Sequence, residues 1–277
     1  MAHEIIKPSQ EISFGAGMSR DDQATLSMVA SALEQGSCML AFQPIVQSQA
    51  PGKAAFYEGL IRVLDGAGNV IPAAEFMPMV EHQDLGRDID CAALLSGLDA
   101  LRRKPDLRLS INMSTRSIGH PKWTRILERA LRSDPMLGER LILEITESSA
   151  MEMPEPVMVF MQRFQAQGVT FALDDFGAGH TSFRYLKDFY FDILKIDGQF
   201  TRGVHHDANN QVLTEALIRI GRQFDMFTVA EAVETREEAD FLVKAGIDCM
   251  QGYYYGRPEM DPDWLPEPEQ NRHKMSA

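Results

Sequence analysis

The sequence predicts an α/β fold, a (β/α)8 TIM-like barrel with an antiparallel first strand. From residue 107 onward, short apolar runs typical of strands alternate with helical patterns, as expected of parallel βαβ units. Upstream, two strand-like runs at 39–46 and 54–63 are joined by a short polar link containing Pro51 and Gly52. A parallel crossover needs about a dozen residues or more, so these two strands are predicted to be antiparallel. A total of eight strands in 277 residues favours a closed barrel, with a doubly wound open sheet as the alternative.

Periodicity and capping residues set the limits of the predicted elements. The first helix begins at Ser19, a capping residue followed by Asp21 and Asp22 in the first turn, and it ends at Gly36. Further helices are predicted over residues 72–83, 85–104, 118–133, 154–167, 181–190, 209–224 and 235–245. The parallel strands are predicted over residues 107–114, 140–146, 170–174, 193–197, 228–233 and 248–255.

One domain is predicted, with a tail at each end. Residues 19–258 form the barrel, residues 1–18 a flexible N-terminal lead-in, and the proline-containing, acidic residues 259–277 a flexible C-terminal tail. The start of the chain lacks a signal-peptide pattern, and no run approaches the ~18 apolar residues of a membrane span. We therefore expect a cytoplasmic protein with no membrane partner. The three cysteines are far apart in sequence and are expected to be reduced thiols.

The formal net charge of −13 argues against one class of partner. Binding to polymeric nucleic acid depends on a basic surface that neutralises phosphates, and this composition does not supply one. A small phosphate ligand is still compatible with an acidic pocket when divalent cations lie between the phosphate and the acids.

Polar residues collect where the predicted strands end, which is the end of a barrel that carries the active site. The pair Asp174 and Asp175 ends one apolar run and precedes a turn with Gly177 and Gly179; both acids can serve one site only if the chain bends at Asp175. The other strand-end residues are Asn112, Glu144, Glu147, Lys195, Asp197, Glu231, Glu234 and Gln251. Acids packed so closely would destabilise the fold unless cations bound them, and ligands that are all oxygen atoms suit Mg2+ or Mn2+.

Each of these residues also has a simpler structural explanation when it is taken alone. The two aspartates could bond their own backbone in a surface turn. Glu58 and Arg62, which share one face of the second strand, could form a plain salt bridge, and Asn112 could be a buried amide satisfied by backbone groups. The buried Lys195 needs a counter-charge in any case, which converging carboxylates would provide.

The motifs, taken together, resemble those of the EAL domain family. They occur in order as Gln43-Pro44-Ile45-Val46, Glu58-Gly59-Leu60-Ile61-Arg62, Asn112-Met113-Ser114, Glu144-Ile145-Thr146-Glu147, Asp174-Asp175-Phe176-Gly177-Ala178-Gly179, Leu194-Lys195-Ile196-Asp197, Ala230-Glu231-Ala232-Val233-Glu234 and Gln251-Gly252-Tyr253-Tyr254. The resemblance extends from about Ser19 to Pro258. It implies a barrel with an antiparallel first strand, in agreement with the prediction from the short link.

The resemblance also implies an activity, namely a phosphodiesterase that hydrolyses cyclic di-GMP to linear pGpG with two divalent cations, Mg2+ or Mn2+. The positions that match the family's ligands of the first metal are Glu58, Asn112, Glu144 and Asp174. Those that match the ligands of the second metal are Asp174, Asp175 and Glu231. Lys195 matches the residue that positions the attacking water, and Glu231 matches the general base of one-metal accounts. The implied catalytic residues are thus Glu58, Lys195 and Glu231.

Further positions match contacts to the substrate or support the site. Gln43, Leu60, Arg62 and Glu234 match substrate contacts, and Glu147, Asp197 and Gln251 match supporting residues, with Glu147 expected to hold the loop after Asp175. The resemblance also leads us to expect a homodimer. A non-catalytic receptor that binds cyclic di-GMP and signals to a protein partner is the alternative function.

The sequence departs from the common form of the family at several sites. Gly59 replaces alanine in a position expected to face away from the site, so we expect little loss of activity there. Ala178 and His180 replace a threonine and a tyrosine in a loop that the family uses for regulation. Ala232 replaces a glycine beside Glu231, where a Cβ is unfavourable if the backbone has a positive φ.

Overall fold

A computed structural model describes residues 19–81, 83–178 and 186–266 of the chain. Its strands form a ring in the order β1, β2, β4, β5, β6, β7, β8 and β9, in which β1 pairs with both β2 and β9. The strands are β1 (Cys38–Gln47), β2 (Ala50–Leu64), β3 (Val70–Ile71), β4 (Leu109–Asn112), β5 (Leu141–Thr146), β6 (Thr170–Phe176), β7 (Ile193–Ile196), β8 (Phe227–Ala230) and β9 (Cys249–Gln251). The predicted closed (β/α)8 barrel is confirmed, and the open sheet is excluded.

The first strand is reversed, as the short link between 47 and 50 requires. β1 is antiparallel to β2 over ten residue pairs and antiparallel to β9 over three, whereas β2 and the following strands of the ring pair in parallel. The two-residue strand β3 was not predicted; it pairs with the end of β2 outside the ring.

Helices cover the outside of the ring among the described residues. They are α1 (Arg20–Gln35), α2 (Ala73–Val80), α3 (Asp84–Arg103), α4 (Pro121–Ser133), α5 (Glu147–Glu152), α6 (Pro154–Gln165), α7 (Gly198–Thr201), α8 (Ala208–Gln223) and α9 (Arg236–Ala245). Helix α1 begins and ends as predicted, with a capping box at Ser19 and a left-handed Gly36 after its last turn. Part of the predicted helix 181–190 lies outside the described residues.

Several predicted limits were wrong for identifiable reasons. The helix predicted from residue 118 begins at Pro121, because a short 3-10 turn comes first and proline suits the first helical position. The strands predicted to reach residues 233 and 255 end at Ala230 and Gln251, because the left-handed Ala232 and the turn at Gly252 interrupt the extended chain. Hydrophobic periodicity does not report these backbone changes.

The first part of the predicted tail contacts the barrel. Glu259 exchanges backbone hydrogen bonds with Phe42, and the ring of Trp264 lies 4.4 Å from that of Tyr57. The aromatic contact buries apolar area that the proline-rich composition did not reveal. Residues 267–277 and 1–18 lie outside the described residues, so their predicted flexibility stays a prediction.

A layer of apolar side chains inside the ring forms the floor of the site. Its buried members are Ile45, Phe56, Ile142, Ala172, Ile193, Val229 and Cys249. Most of them precede a polar site residue by two positions on the same strand, so both side chains face inward. A larger core lies between the ring and its helices. The three cysteines are free thiols, and no helix in the described part of the chain is long and apolar enough to cross a membrane.

Candidate active site

The residues predicted to converge do meet at one mouth of the barrel. The inward side chains one step above the apolar floor are Glu58 on β2, Asn112 on β4, Glu144 on β5, Asp174 on β6, Lys195 on β7 and Gln251 on β9, with Glu231 directly after β8. Because the parallel strands end at similar heights, residues far apart in sequence reach a common centre.

Lys195 occupies that centre and is only 1% exposed. Its Nζ lies 2.8 Å from Glu144 Oε2, 2.7 Å from Glu231 Oε1 and 2.9 Å from Asp174 Oδ1. A fourth carboxylate, that of Glu58, lies 3.5 Å away. An ammonium group has only three protons, and Asp174 Oδ1 receives no hydrogen bond of acceptable geometry. One cation thus faces an excess of negative charge, which is the counter-charge predicted for a buried lysine.

The crowding changes the acidity of several groups at this centre. Burial alone would lower the pKa of Lys195, but the surrounding carboxylates raise it well above its ordinary value, so the ammonium form is retained. Burial raises the pKa of Glu231 to about 8, against the lowering effect of Lys195. Burial also raises the pKa of Glu144 well above its ordinary value, and it raises that of Asp175, with the help of Asp174, to about 6.

Neutral amides hold the carboxylate on β2. Asn112 Nδ2 donates to Glu58 Oε1 at 2.7 Å, and Gln251 Nε2 donates to Glu58 Oε2 at 2.6 Å. Gln251 Nε2 also lies 3.0 Å from Gln43 Oε1, and Gln43 Nε2 donates to the Gly256 carbonyl. The Asn112 amide therefore bonds a site carboxylate rather than the backbone.

The chain bends at Asp175, as a shared site for the two aspartates requires. Asp175 has a left-handed backbone with φ +53°, and the pairing of β6 with β7 shifts register between Leu173 and Phe176. Single oxygens of Asp174, Asp175 and Glu231 consequently lie within 4.8 Å of one another. A non-glycine residue with positive φ is uncommon and is characteristic of strained functional positions.

The donor set fits divalent cations that prefer oxygen. Besides the three clustered carboxylates, the buried oxygens Glu144 Oε1 and Gln251 Oε1 have no hydrogen-bond partner among the described residues. Buried polar oxygens without a partner are costly, and a cation with its bound waters would satisfy them.

A cleft of about 380 Å3 opens beside the cluster. The loops after β7, β8 and β9 form its walls, and Glu231, Gln251 and Gln43 line its inner end. The outer wall includes Asp197, Arg202, Glu234 and Tyr253. Since the cleft leads directly to the carboxylates, a ligand bound there would contact them.

The sequence matches the family described as the EAL domain over residues 27–258, which is most of the chain. The chain belongs to the EAL domain family. The motifs that resemble those of the family in sequence are thus the ones that form the barrel mouth. The barrel with one reversed strand agrees with membership of this family.

Relatives of this EAL domain include proteins with named activities. The bifunctional diguanylate cyclase/cyclic di-GMP phosphodiesterase MucR of Pseudomonas aeruginosa is 30% identical over 255 residues, covering 88% of this chain and 37% of MucR. The solved PaMucR phosphodiesterase in its c-di-GMP complex has a TM-score of 0.74 at 30% identity, covering 85% of this chain and 97% of that one. The manganese/cyclic di-GMP complex of Klebsiella pneumoniae BlrP1 has a TM-score of 0.70 at 26% identity, covering 80% and 56%. The chain spans about a third of the length of the curated relatives it matches.

The remaining residues predicted for the EAL site lie around this centre. Glu147 Oε2 accepts the Gly177 N–H at 2.9 Å, so it bonds the loop after Asp175. Asp197 caps the short helix α7 through the Gln199 N–H. Arg62 donates to its neighbouring Ile61 carbonyl, and Leu60 precedes it on the same face of β2, half-buried. Glu234 lies exposed on the cleft wall, with Arg202 Nε 3.9 Å from its Oε1.

The departures from the usual EAL motifs have different structural settings. A Cβ at Gly59 would point toward Ile111 and Leu40 on the outside of the ring, away from the acids, as predicted. Ala232 has φ +52°, which is the unfavourable backbone anticipated for a residue with a side chain. Ala178 donates its N–H to the Asp175 carbonyl, whereas Gly179 and His180 lie outside the described residues.

Three residues near the EAL site were not predicted. Arg202 and Tyr253 line the cleft, and the buried Glu238 bonds the loops that form its walls. The pattern Thr235-x-x-Glu238 is a capping box, which could have singled out Glu238 as a structural residue but not its contact with another loop.

Proposed function

We propose that this chain is a metal-dependent phosphodiesterase that hydrolyses cyclic di-GMP to linear pGpG. The observation that carries the proposal is the convergence of Glu58, Glu144, Asp174 and Glu231 around Lys195 at the inner end of an open cleft. The names of MucR and of its c-di-GMP complex support the choice of substrate. Phosphodiester hydrolysis needs charge neutralisation beside a site for the phosphate. The acid cluster would supply the first by holding divalent cations, and the adjoining cleft would supply the second.

Two divalent cations, Mg2+ or Mn2+, belong to the proposal. Glu58, Asn112, Glu144 and Asp174 would hold one ion, and Asp174, Asp175 and Glu231 the other. Such ions lower the pKa of bound water and neutralise charge on the phosphoryl oxygens in an in-line displacement. The manganese complex of BlrP1 supports the choice of a divalent cation.

The protein's own side chains would orient the attacking water and transfer its protons. Lys195 Nζ, which is buried among the carboxylates, would orient the attacking water toward the phosphorus. With one cation bound, Glu231 would be free to accept that water's proton; with two cations bound, Glu231 would serve as a ligand and the proton would pass to solvent. Attack of the water forms one P–O bond and breaks the bond to the 3′ oxygen, which takes up a proton and leaves a linear product with a 5′ phosphate. Gln251 and Gln43 keep the Glu58 carboxylate in place during this exchange.

Substrate binding is assigned to the rim of the same mouth. Arg62 supplies a fork of donors suited to a phosphate oxygen, and Leu60 on the same strand face supplies an apolar contact. Gln43 and Glu234 line the cleft. The Gln43 amide can donate a hydrogen bond to the nucleotide or accept one from it, and the Glu234 carboxylate can accept one. A homodimer completes the proposal, and sedimentation velocity of the purified chain would test it.

The decisive experiment is a hydrolysis assay with purified protein, cyclic di-GMP and either Mg2+ or Mn2+, followed by chromatography of the nucleotides. We expect pGpG with at least one of the two metals and none after addition of a chelator. Failure to form product with either metal would refute the activity. Nucleotide binding that persists in chelator without turnover would instead identify a non-catalytic receptor.

A further inference from the structure

Two neighbouring loops line the cleft. The loop after β7 carries Asp197 and the short helix α7, and the loop after β8 carries Glu231 and Ala232. The first loop therefore adjoins the segment that carries Glu231.

The carboxylate of Glu238, on the first turn of α9, bonds both loops. It is 5% exposed. Its Oε1 accepts the Gly203 N–H of the β7 loop at 2.7 Å. Its Oε2 accepts the N–H groups of Glu234 and Thr235, in the β8 loop, at 2.8 and 2.9 Å. Three backbone donors from two loops thus converge on one ionised side chain, and bonds to a charged acceptor are stronger than neutral ones.

The contact with Gly203 goes beyond what helix capping requires. A capping box joins only the residue before the helix and the third residue within it. The same motif at the start of α1 shows this simpler form, because within the described part of the chain the Asp22 carboxylate accepts the N–H of its own capping residue, Ser19, and no bond from a second loop. Glu238 uses one oxygen for the cap and the other for the second loop.

The two loops also touch at a second place, closer to the acids. Thr201 Oγ1 donates to the carbonyl of Glu231. A Cβ added to Gly198 would lie 2.7 Å from the Ala232 Cβ, so the backbones are nearly in contact there. Glu238 joins the two loops at a further place, so a shift of the β7 loop would also displace the backbone of Glu231.

We infer that Glu238 is a positioning residue, which locks the β7 loop to the β8 loop and thereby sets the place of Glu231 in the cation site. The effect on cation binding rests on the proposed function, whereas the locking of the loops does not. Glu238 itself touches neither the acid cluster nor the inner end of the cleft.

The substitution Glu238→Gln separates locking from capping. An amide has one acceptor oxygen, so it can serve the cap with that oxygen while its NH2 group faces the Gly203 N–H and loses the bond between loops. Asp22→Asn is the matched control, since it makes the same chemical change in a capping box without a second loop.

Two measurements on the full chain without nucleotide test the inference. Amide exchange followed by NMR should quicken at Gly203 and across residues 198–203 in E238Q, but not in D22N. Titration with Mn2+, followed by the EPR signal of the free ion, should show about tenfold weaker binding in E238Q, the lower end of what loss of a supporting bond costs a metal site.

The outcomes distinguish the contact between the loops from its effect on cation binding. Wild-type exchange at residues 198–203 in E238Q would overturn the locking role and leave Glu238 as a helix cap. Faster exchange with unchanged Mn2+ affinity would overturn its influence on Glu231. If the wild-type protein bound no Mn2+, the proposed function would fail, and the exchange measurement would still decide whether Glu238 locks the loops.

Discussion

The two halves of the acid cluster are built by different means. Glu58, Asn112 and Glu144 lie within regular strands, and bonds from neutral amides hold Glu58. Asp175 and Glu231 lie where the chain leaves the barrel, and left-handed backbone occurs at Asp175 and Ala232. The sheet thus orders the first half, whereas strained turns and loop contacts order the second. In a site divided in this way, the hydrogen bonds of the sheet determine the positions of the first half, whereas the geometry of the second half depends on a few local bonds.

Removing a carboxylate from either half should have the largest effect. Glu58→Ala and Glu231→Ala each remove a proposed cation ligand rather than core packing, so we expect the proposed turnover of cyclic di-GMP to be below detection in both with the fold retained. The assay is nucleotide chromatography together with circular dichroism. Glu215→Ala, which alters a carboxylate on the outer helix α8, is the control and should behave as wild type. Near-normal turnover in either site variant would contradict the assignment.

Lys195 joins the two halves, and its removal should affect stability strongly. Lys195→Met leaves the carboxylates without their shared cation, and breaking a buried ion pair from one side costs about 3–5 kcal/mol. We expect urea unfolding of the metal-free variant to show a loss of this size. Mn2+ should restore much of it by supplying positive charge. Equal stability of variant and wild type without metal would show that the cluster is not charged in the folded state.

The raised pKa values of Glu144 in the first half and of Asp175 and Glu231 in the second predict a pH dependence of stability. Burial raises the pKa of Asp175 from 3.8 to about 6 and that of Glu231 from 4.5 to about 8. The folded protein therefore holds protons that the unfolded chain releases, and stability present at low pH is lost as pH rises through these ranges. The melting temperature of the metal-free protein should fall as the pH rises from 5 to 8. This interval lies within the range from 4.5 to about 8 over which the pKa shift of Glu231 affects stability.

Two controls identify the groups responsible for this pH dependence. Glu231→Gln should flatten the upper part of the curve, because the variant cannot release that proton. Saturating Mn2+ should reverse the slope, since ligation favours the ionised carboxylates. A melting temperature that rises between pH 5 and pH 8 without metal would rule out the assigned shifts.

The smallest effect concerns the strain beside Glu231. Ala232→Gly relieves a left-handed residue and should stabilise the protein by about 0.5–1 kcal/mol, after allowing for the flexibility of glycine when unfolded. Asp225→Gly is a matched control, because Asp225 has φ +56° at the far end of α8. We expect both variants to be more stable in urea, but only A232G to show higher turnover. Equal turnover in the two would mean that Ala232 does not restrict the site.

The sequence was most informative where regular structure determines position. The alternation of strands and helices predicted the barrel, and the short link expected between residues 46 and 54 predicted the reversed strand, because both depend on chain length and period alone. The link itself is shorter than predicted, since Pro51 and Gly52 belong to β2. The shared site of Asp174 and Asp175 could be expected once a bend was allowed. The packing of Trp264 on Tyr57 and the bond from Gly203 to Glu238 could not, because they join segments far apart in sequence with no periodic signal. Contacts of that kind follow only from the folded arrangement.

The reversed strand β1 also determines at which point of synthesis the ring of strands can close. β1 is made early, yet one of its edges pairs with β9, so that Ile45 lies opposite Gln251. A nascent chain that has not yet exposed residue 251 therefore carries open strand edges on β1 and β8. The same residue supplies the amide that holds Glu58. Closure of the ring and completion of the acid cluster therefore both require residue 251, and a chain that ends before it has neither.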